Sequence, residues 1–461
     1  MHPTLSTVRT QQKFIQSQRR NSDCYRVFNL LTSDTLLDKV EEQLPDHRER
    51  LFPPTETLAM FITQALSADS SCQNIVNQAA AKRLIGGLTP CSTYTGGYCQ
   101  ARQRIPLDMV TELTRYLGTI IDDKVPDDWR WKGRKVKIAD GTTVTMPDTS
   151  SNQAEYPQQA GQQVGLGFPI CRIVGITCLS SGALLNVAIG HFKGKGADEQ
   201  TLLRSMQDSF QPGDMVLGDA FFPTYFFMAD MRTKGVDILM EQNGARRKNT
   251  DFRRGQKLGQ RDHIITINKP KKKPYWMSDK DYLAAPDTLK IREFKAGGKI
   301  MVTTIMCPKM ATKNELKRLY KSRWNVELDI RDIKNTMGMN ILSCKTPDMV
   351  IKEIWVYLLA YNLIRLMMSQ SALLANIQPR TISFKHSLQL WLVWVQQAAE
   401  YDEGKLLVLF SLVAQQRVGN RSGRIEPRAV KRRSKPYPLL TKPRQLAREN
   451  IIKNGHPKKL K

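Results

Sequence analysis

The stretch KVKIADGTTVTM, residues 135–146, is where the chain changes from helical to strand-forming sequence. Its composition predicts a β-strand, and the Asp-Gly pair inside it is a turn signal. Several strand candidates follow, and then a strand, a helix and a strand in turn. This order is typical of an α/β domain with a mixed sheet. The further strand candidates cover residues 171–180, 184–192, 214–222 and 236–242, and the helix candidates cover 198–210 and 224–235.

Upstream of this point, residues 1–125 have a helical character, with short helix candidates at 58–66, 72–85 and 92–105. The third of these ends in Arg102 and Arg104. Three short helices of this kind fit a helix-turn-helix-like unit that reads DNA, and they fit an ordinary helical packing domain equally well. We expect a helical N-terminal DNA-binding region.

Downstream, a catalytic domain over residues 126–400 is predicted to contain a basic, β-rich insertion at about 243–312. Apolar helices after residue 345 complete its core. Residues 401–461 are predicted to form a helix and an extended basic arm, because the chain from Arg417 onward carries 15 Lys and Arg against two Glu.

The net charge of +27 and the pI near 9.8 favour a polyanionic partner, and nucleic acid is the most common one. The most apolar segments are interrupted by charged residues before they reach the roughly 20 residues that a membrane span requires. The N-terminus lacks the apolar segment of a secretory signal. The eight cysteines show no zinc-binding spacing. We therefore expect a cytoplasmic, nucleoid-associated protein with no membrane partner.

Three acidic residues stand out by their positions: Asp140 and Asp219 at predicted strand ends, and Glu327 within a predicted helix. Such a set suits two divalent ions about 3.5–4 Å apart, which promote phosphoryl transfer. All-oxygen ligands favour Mg²⁺, with Mn²⁺ as an alternative. Asp148 and Asp214 are rival candidates, and Asp214 is better explained as a turn residue. A purely structural role stays open, because 43 acidic residues place some at strand ends by chance.

The segment YKSRWNVELDIRDIK, residues 320–334 and here called the signature segment, contains neither Pro nor Gly and is predicted to form one helix. Helical periodicity places four of its polar residues within an arc of roughly 60°, beside an apolar stripe. The alternative is a solvated face with Arg323–Glu327 pairing. We expect Trp324 to pack, and Lys321, Asp329 and Asp332 to be solvated elsewhere on the helix. The four residues are Tyr320, Arg323, Glu327 and Lys334.

The spacing Tyr320-x2-Arg323-x3-Glu327-x6-Lys334 resembles the YREK signature of DDE transposases of the insertion-sequence IS-four family. The resemblance extends to IADGTTVTMPDTSSNQAEYP, GDMVLGDAFF and the EPRAVKRRSKPYPLLTKPR tail, and it covers roughly residues 55–445. It implies an RNase H-like catalytic core that is interrupted by the β-rich insertion. The core would be flanked by helical N-terminal and helical, basic C-terminal regions.

By this resemblance, Asp140, Asp219 and Glu327 would form the metal-binding catalytic triad, and Tyr320, Arg323 and Lys334 would contact DNA. The implied activity is cut-and-paste transposition: nicking at terminal inverted repeats, a hairpin step, and strand transfer into target DNA. A homodimeric synaptic complex is expected of the family. The alternative function is a non-catalytic DNA-binding protein, such as a decayed transposase or a repressor.

One feature departs from the family pattern. Some members carry a Trp on the insertion strand before the signature segment, where it stacks on a flipped base. The corresponding strand here, KIMVTTIM, has none. Trp276 is the nearest substitute, and we expect core packing rather than base stacking for it. The hairpin step is the part of the implied mechanism that depends on this point.

Overall fold

The computed structural model describes residues 52–67, 69–87, 89–194, 196–397, 403–419 and 442–455. The N-terminal half of the predicted helical region and most of the predicted basic arm lie outside the described residues. Residues 403–419 and 442–455 of the C-terminal region are described; they contain the predicted helix after residue 401 and a helix at Arg444–Asn454, where the sequence predicts an extended arm.

Nine strands form one continuous sheet in the order β3-β2-β1-β4-β5-β9-β8-β7-β6. Strand β1 is antiparallel to β2, which is antiparallel to β3, whereas β1, β4 and β5 run parallel. These five strands have the order and directions of the RNase H-like core that the resemblance implies. The strands are β1 (Val136–Thr145), β2 (Ile170–Cys178), β3 (Leu184–His191), β4 (Met215–Gly218), β5 (Asp237–Glu241), β6 (Gln256–Gly259), β7 (Asp262–Asn268), β8 (Thr288–Ala296) and β9 (Lys299–Thr303).

The Asp-Gly pair of β1 is not a turn, contrary to the sequence prediction. The strand runs straight through it, and Asp140 and Gly141 pair with Gly175 and Val174 of β2. A ten-residue strand can pass through this pair because its partner β2 supplies matching backbone groups on both sides of it. Asp140 therefore lies in the middle of a strand, and only Asp219 lies just beyond a strand end.

The strands β6 to β9 extend the core sheet and do not form a separate layer. Strand β9 pairs antiparallel with β5, through Leu239 opposite Thr303. Arg292 of β8 is fully buried and bonds both carboxylate oxygens of Asp262 at 2.8 and 2.7 Å. This paired ion fixes β8 against β7 in the interior of the extended sheet.

Helices cover the sheet, and the longest, α12, is almost entirely buried. Its Asn362 bonds the backbone of Thr114 and of Leu184, which joins α12 to α4 and β3. None of the described helices is long and apolar enough to cross a membrane. The described helices are α1 (Pro54–Leu66), α2 (Cys72–Ile85), α3 (Gly96–Arg104), α4 (Leu107–Asp123), α5 (Ser150–Glu155), α6 (Glu199–Arg204), α7 (Tyr225–Thr233), α8 (Gly244–Arg247), α9 (Asp279–Ala284), α10 (Lys313–Lys321), α11 (Asn325–Arg331), α12 (Pro347–Leu374), α13 (Phe384–Gln397), α14 (Glu403–Gln415) and α15 (Arg444–Asn454).

Arg102, at the end of α3, does not face solvent as a DNA-reading residue would. Its guanidinium is buried against the ring of Phe61 and lies 3.2 Å from the Cys72 sulfur. Arg104 is exposed. The first three described helices therefore use Arg102 for packing, which corrects the expectation that both arginines are available to DNA.

Candidate active site

The signature segment is not one regular helix, contrary to the sequence prediction. Helix α10 begins with a capping box between Thr312 and Glu315 and ends at Lys321. A 3₁₀ turn at Ser322–Trp324 leads into α11, and a π-turn at Asp332–Thr336 follows it. Each turn changes the angular position of the residues after it, so the side chains do not follow the single arc of an ideal helix.

Asp140 lies on β1 and Asp219 immediately follows β4, the parallel neighbour of β1. Burial raises the pKa of the Asp140 carboxyl, Arg323 opposes that shift, and the carboxylates of Asp219 and Glu327 add to it. The three acidic groups thus interact electrostatically within one site. The carboxylate of Asp219 also accepts the backbone N–H of Phe221 at 2.8 Å, which fixes the loop after β4.

Arg323 joins the signature segment to the first strand. Its guanidinium donates to Asp140 Oδ2 and to Glu327 Oε1, each at 3.0 Å. The solvated-face alternative accounts for the bond to Glu327 but not for the bond to Asp140, which lies 183 residues earlier in the chain. The phenol of Tyr320 lies beside this group, and burial raises the pKa of Tyr320 to about 12.

Lys334 holds the other end of the signature segment against β1. Its ammonium donates to Thr143 O at 2.8 Å and lies 3.3 Å from Thr142 Oγ1. Arg323 and Lys334 therefore contact β1 at successive positions, Asp140 and then Thr142 and Thr143. Of the four signature residues, Arg323 and Lys334 thus contact β1 directly, and Glu327 is joined to it through Arg323.

The donor set has the chemistry that Mg²⁺ or Mn²⁺ requires, since Asp140, Asp219 and Glu327 offer only carboxylate oxygens. Among the residues that the structure describes, no three such side chains stand close enough to enclose an ion. The guanidinium of Arg323 lies between the Asp140 and Glu327 carboxylates and keeps them apart. The three residues have the oxygen ligands that a divalent ion prefers. In this structure the positive charge of Arg323 offsets the negative charges of Asp140 and Glu327.

Asp329 is not solvated, contrary to the sequence prediction. It is fully buried, and its Oδ1 accepts from Arg365 at 2.7 Å and from Arg380 at 2.5 Å. Asp332 is also buried and lies 3.7 Å from Arg365. Lys321 is exposed, as expected. The two acidic residues anchor the signature segment to α12 because their cationic partners come from beyond residue 360.

Trp324 does not pack, and that prediction is wrong as well. Its side chain is 59% exposed, because the 3₁₀ turn rotates it away from the apolar stripe formed by Leu319 and Val326. The apolar stripe itself is buried as expected.

We expect the Trp324→Ala variant to change the free energy of unfolding by less than about 0.5 kcal/mol, as at other exposed sites. The matched control is Leu316→Ala in the preceding helix, where the side chain is fully buried and truncation costs about 2–5 kcal/mol. Urea denaturation of the two variants measures both values. A loss for Trp324→Ala that approaches that of the control would contradict the exposed position.

Asp214 and Asp148, the alternative candidates for the acidic site, form ion pairs away from Asp140 and Glu327. Asp214 precedes β4, at the opposite end from Asp219, and forms a buried ion pair with Lys137 at 2.6 Å. Asp148 follows β1 and pairs with Arg444 at 2.8 Å. Both residues have structural partners.

Sequence reasoning missed one acidic residue beside the site, Glu199. Burial raises the pKa of its carboxyl, Arg172 opposes the shift, and Asp219 and Asp140 add to it. The available signal was Gly141, because an isolated glycine inside a strand indicates a close approach by another group. Interpreting the Asp-Gly pair as a turn concealed that signal.

The order and directions of the five core strands, with one acidic residue on β1, another just after β4 and a glutamate on a helix, are typical of the RNase H-like class of proteins that process nucleic acids. Residues 131–363, half of the chain, match the family described as Transposase DDE domain. The chain belongs to this family, as a DDE transposase of the IS-four type. DDE transposases are metal-dependent nucleases and strand transferases that bind DNA.

One relative is "Transposase InsG for insertion sequence element IS4" from Escherichia coli (strain K12). It is 25% identical over 408 residues, which cover 86% of this chain and 89% of the relative. A solved structure of the piggyBac transposase synaptic complex with hairpin DNA aligns with a TM-score of 0.43 and 8% identity, over 89% of this chain and 88% of that one.

Proposed function

We propose that this protein catalyses cut-and-paste transposition of an insertion sequence, with Asp140, Asp219 and Glu327 as its metal-binding carboxylates. The observation that carries the proposal is the bridge of Arg323, at 3.0 Å to Asp140 and 3.0 Å to Glu327. It joins the strand-borne acid to the signature glutamate, which supports placing both residues in one site.

The bound cofactor would be Mg²⁺, with Mn²⁺ as a substitute, and two such ions would activate the attacking oxygen and stabilise the leaving one. Asp140 on β1, Asp219 just after β4 and Glu327 on α11 would supply the carboxylate ligands. Arg323 and Lys334 supply positive charge on either side of Glu327, where phosphates of a DNA end would lie. Tyr320 borders the same place.

The proposed reaction begins with hydrolysis of one phosphodiester at each transposon end, which frees a 3′-OH. That hydroxyl attacks the opposite strand to give a hairpin on the transposon end, and a second hydrolysis reopens it. The final step joins the 3′-OH ends to target DNA. The substrates are double-stranded terminal inverted repeats and target DNA, held in a homodimeric complex. Association with the nucleoid belongs to the same proposal.

Trp276 does not supply the missing base-stacking residue. It packs edge-on against Phe226, with ring centroids 6.2 Å apart, and the Arg204 guanidinium lies 3.8 Å from the centroid of its indole ring. A flipped base would have to displace Arg204. If the hairpin step occurs, another residue stabilises the displaced base.

A cleavage assay tests this function. Purified protein is incubated with labelled DNA that carries the flanks of its own gene, with Mg²⁺ or with EDTA. We expect nicks at a fixed position that require the ion, and a hairpin product on a denaturing gel. Sequence-specific binding without any nick under Mg²⁺ and Mn²⁺ would instead support the non-catalytic alternative. Nicks without a hairpin would exclude the hairpin step alone.

A further inference from the structure

Glu199, the first residue of α6, lies directly over the strand that carries Asp140. A Cβ built on Gly141 would stand 2.5 Å from the Cδ of Glu199 and 2.6 Å from its Oε1. A side chain at this position would force the Glu199 carboxylate to move. The glycine next to Asp140 is therefore what allows the Glu199 carboxylate to reach the backbone of β1.

Helix α6 is capped by its own Asp198 and is held to the loop after β4 by Gln200. Asp198 caps the helix by accepting the backbone N–H of Thr201 at 3.0 Å. The side chain of Gln200 donates to Phe221 O at 2.6 Å, in the loop whose backbone N–H also holds Asp219. Gln200, next to Glu199, therefore joins this helix to the Asp219 loop.

Arg172 forms an ion pair with Glu199, but it does not neutralise all of the negative charge around this residue. Arg172 lies 3.3 Å from its Oε1, and both side chains are only about a fifth exposed. Asp140 and Asp219 add two negative charges near Glu199. A half-buried carboxylate facing two others is unfavourable unless a cation compensates. Arg172 and Arg323 together supply two positive charges for the four carboxylates of Asp140, Glu199, Asp219 and Glu327.

We propose that Glu199 is a fourth carboxylate of the catalytic centre, which takes part in holding the divalent ions beside Asp140 and Asp219. The inference rests on the proposed function, because it assigns a further residue to the same metal site. Gly141 provides the space for this carboxylate, and Arg172 pairs with it. Glu199 acts on the reaction by positioning the ions.

Binding of Mn²⁺ in the absence of DNA tests the assignment without any assay of activity. Free Mn²⁺ is measured by electron paramagnetic resonance while the wild type, Glu199→Gln and Arg172→Met proteins are titrated. We expect Glu199→Gln to weaken binding by about tenfold or more, as for other residues that support a metal site. We expect Arg172→Met to leave binding unchanged or tighter, because it removes a repulsive positive charge.

These two variants separate a metal role from a structural ion pair. If Glu199 serves only as the ion-pair partner of Arg172, either substitution breaks the same pair. The two variants should then change Mn²⁺ binding by the same factor. Equal weakening by both variants would therefore refute the proposal, and so would wild-type binding by Glu199→Gln. Melting temperatures in EDTA show whether each variant is folded.

Gly141→Ala provides a second route if Arg172→Met does not fold. The added methyl group would displace the Glu199 carboxylate while keeping its charge, so we expect weaker Mn²⁺ binding. The effect should disappear when Glu199→Gln is already present, since the two substitutions then act on the same contact. Full additivity of the two effects would refute the assignment.

Asp140→Asn is the reference variant. If Asp140→Asn leaves Mn²⁺ binding unchanged, the metal site of the proposed function is refuted, and the role of Glu199 with it. If Asp140→Asn weakens binding and Glu199→Gln does not, the proposed function stands and only the fourth carboxylate is refuted.

Discussion

The Glu327→Gln variant is expected to lose metal-dependent DNA cleavage, with a rate at least about a hundredfold below that of the wild type. Glutamine keeps the length of the side chain and an oxygen that can accept from Arg323, which now lies 3.0 Å from Glu327. It removes the negative charge that a divalent ion requires. The loss therefore reports the charge of Glu327 and not its packing.

The measurement is single-turnover cleavage of end-labelled DNA under saturating protein. DNA binding at the same salt concentration should stay close to that of the wild type, since Lys and Arg outnumber acidic residues by 27. Glu112→Gln is the control, because Glu112 is half-exposed and pairs only with Arg115 within its own helix. Cleavage by Glu327→Gln at more than a tenth of the wild-type rate would remove Glu327 from the proposed triad.

The Asp329→Ala variant is expected to lose about 3–5 kcal/mol of the free energy of unfolding. Asp329 is fully buried between Arg365 and Arg380, and Arg365 is itself buried. Removing the carboxylate leaves two guanidinium groups facing one another, with Asp332 as the remaining acid, 3.7 Å from Arg365. An uncompensated buried charge is among the most destabilising changes that one substitution makes.

Urea denaturation measures this loss, and the exposed pair of Glu112 and Arg115 again offers the comparison. Glu112→Gln should cost less than about 1 kcal/mol, because an exposed ion pair contributes little. A cost below about 1 kcal/mol for Asp329→Ala would show that the buried ions do not anchor the signature segment. The Asp329→Ala variant can also be assayed for cleavage at a temperature where it stays folded. Loss of cleavage there would show that Asp329 also holds Glu327, two residues earlier, in position.

Local sequence was sufficient for the central strands and for the nature of the site. Strands β1 and β4 were predicted because their apolar residues are contiguous, and Asp140 and Asp219 were selected because each accompanies such a strand. The spacing of Tyr320, Arg323, Glu327 and Lys334 indicated the family, which the match over residues 131–363 confirms. The catalytic and metal-binding roles of these residues stay predictions.

Interactions between distant residues account for much of what local sequence did not predict. The burial of Asp329 depends on Arg365 and Arg380, which lie 36 and 51 residues away. The exposure of Trp324 depends on a 3₁₀ turn inside a segment that has the composition of one helix. Asp140 lies within a strand because β2 continues alongside it. For Asp329 and Asp140 the partner that decides the outcome is remote in the sequence, whereas for Trp324 it is a local change of helix type.

The continuity of the nine-stranded sheet has a consequence for solubility. Strand β5 bonds β4 on one side and β9 on the other, and β9 belongs to the basic, β-rich insertion. A shortened chain without residues 243–312 would present the free backbone groups of β5 as an open edge, to which another molecule can add a strand. The insertion therefore protects the catalytic sheet from self-association, and its loss would lead to aggregation before any effect on DNA cleavage became measurable.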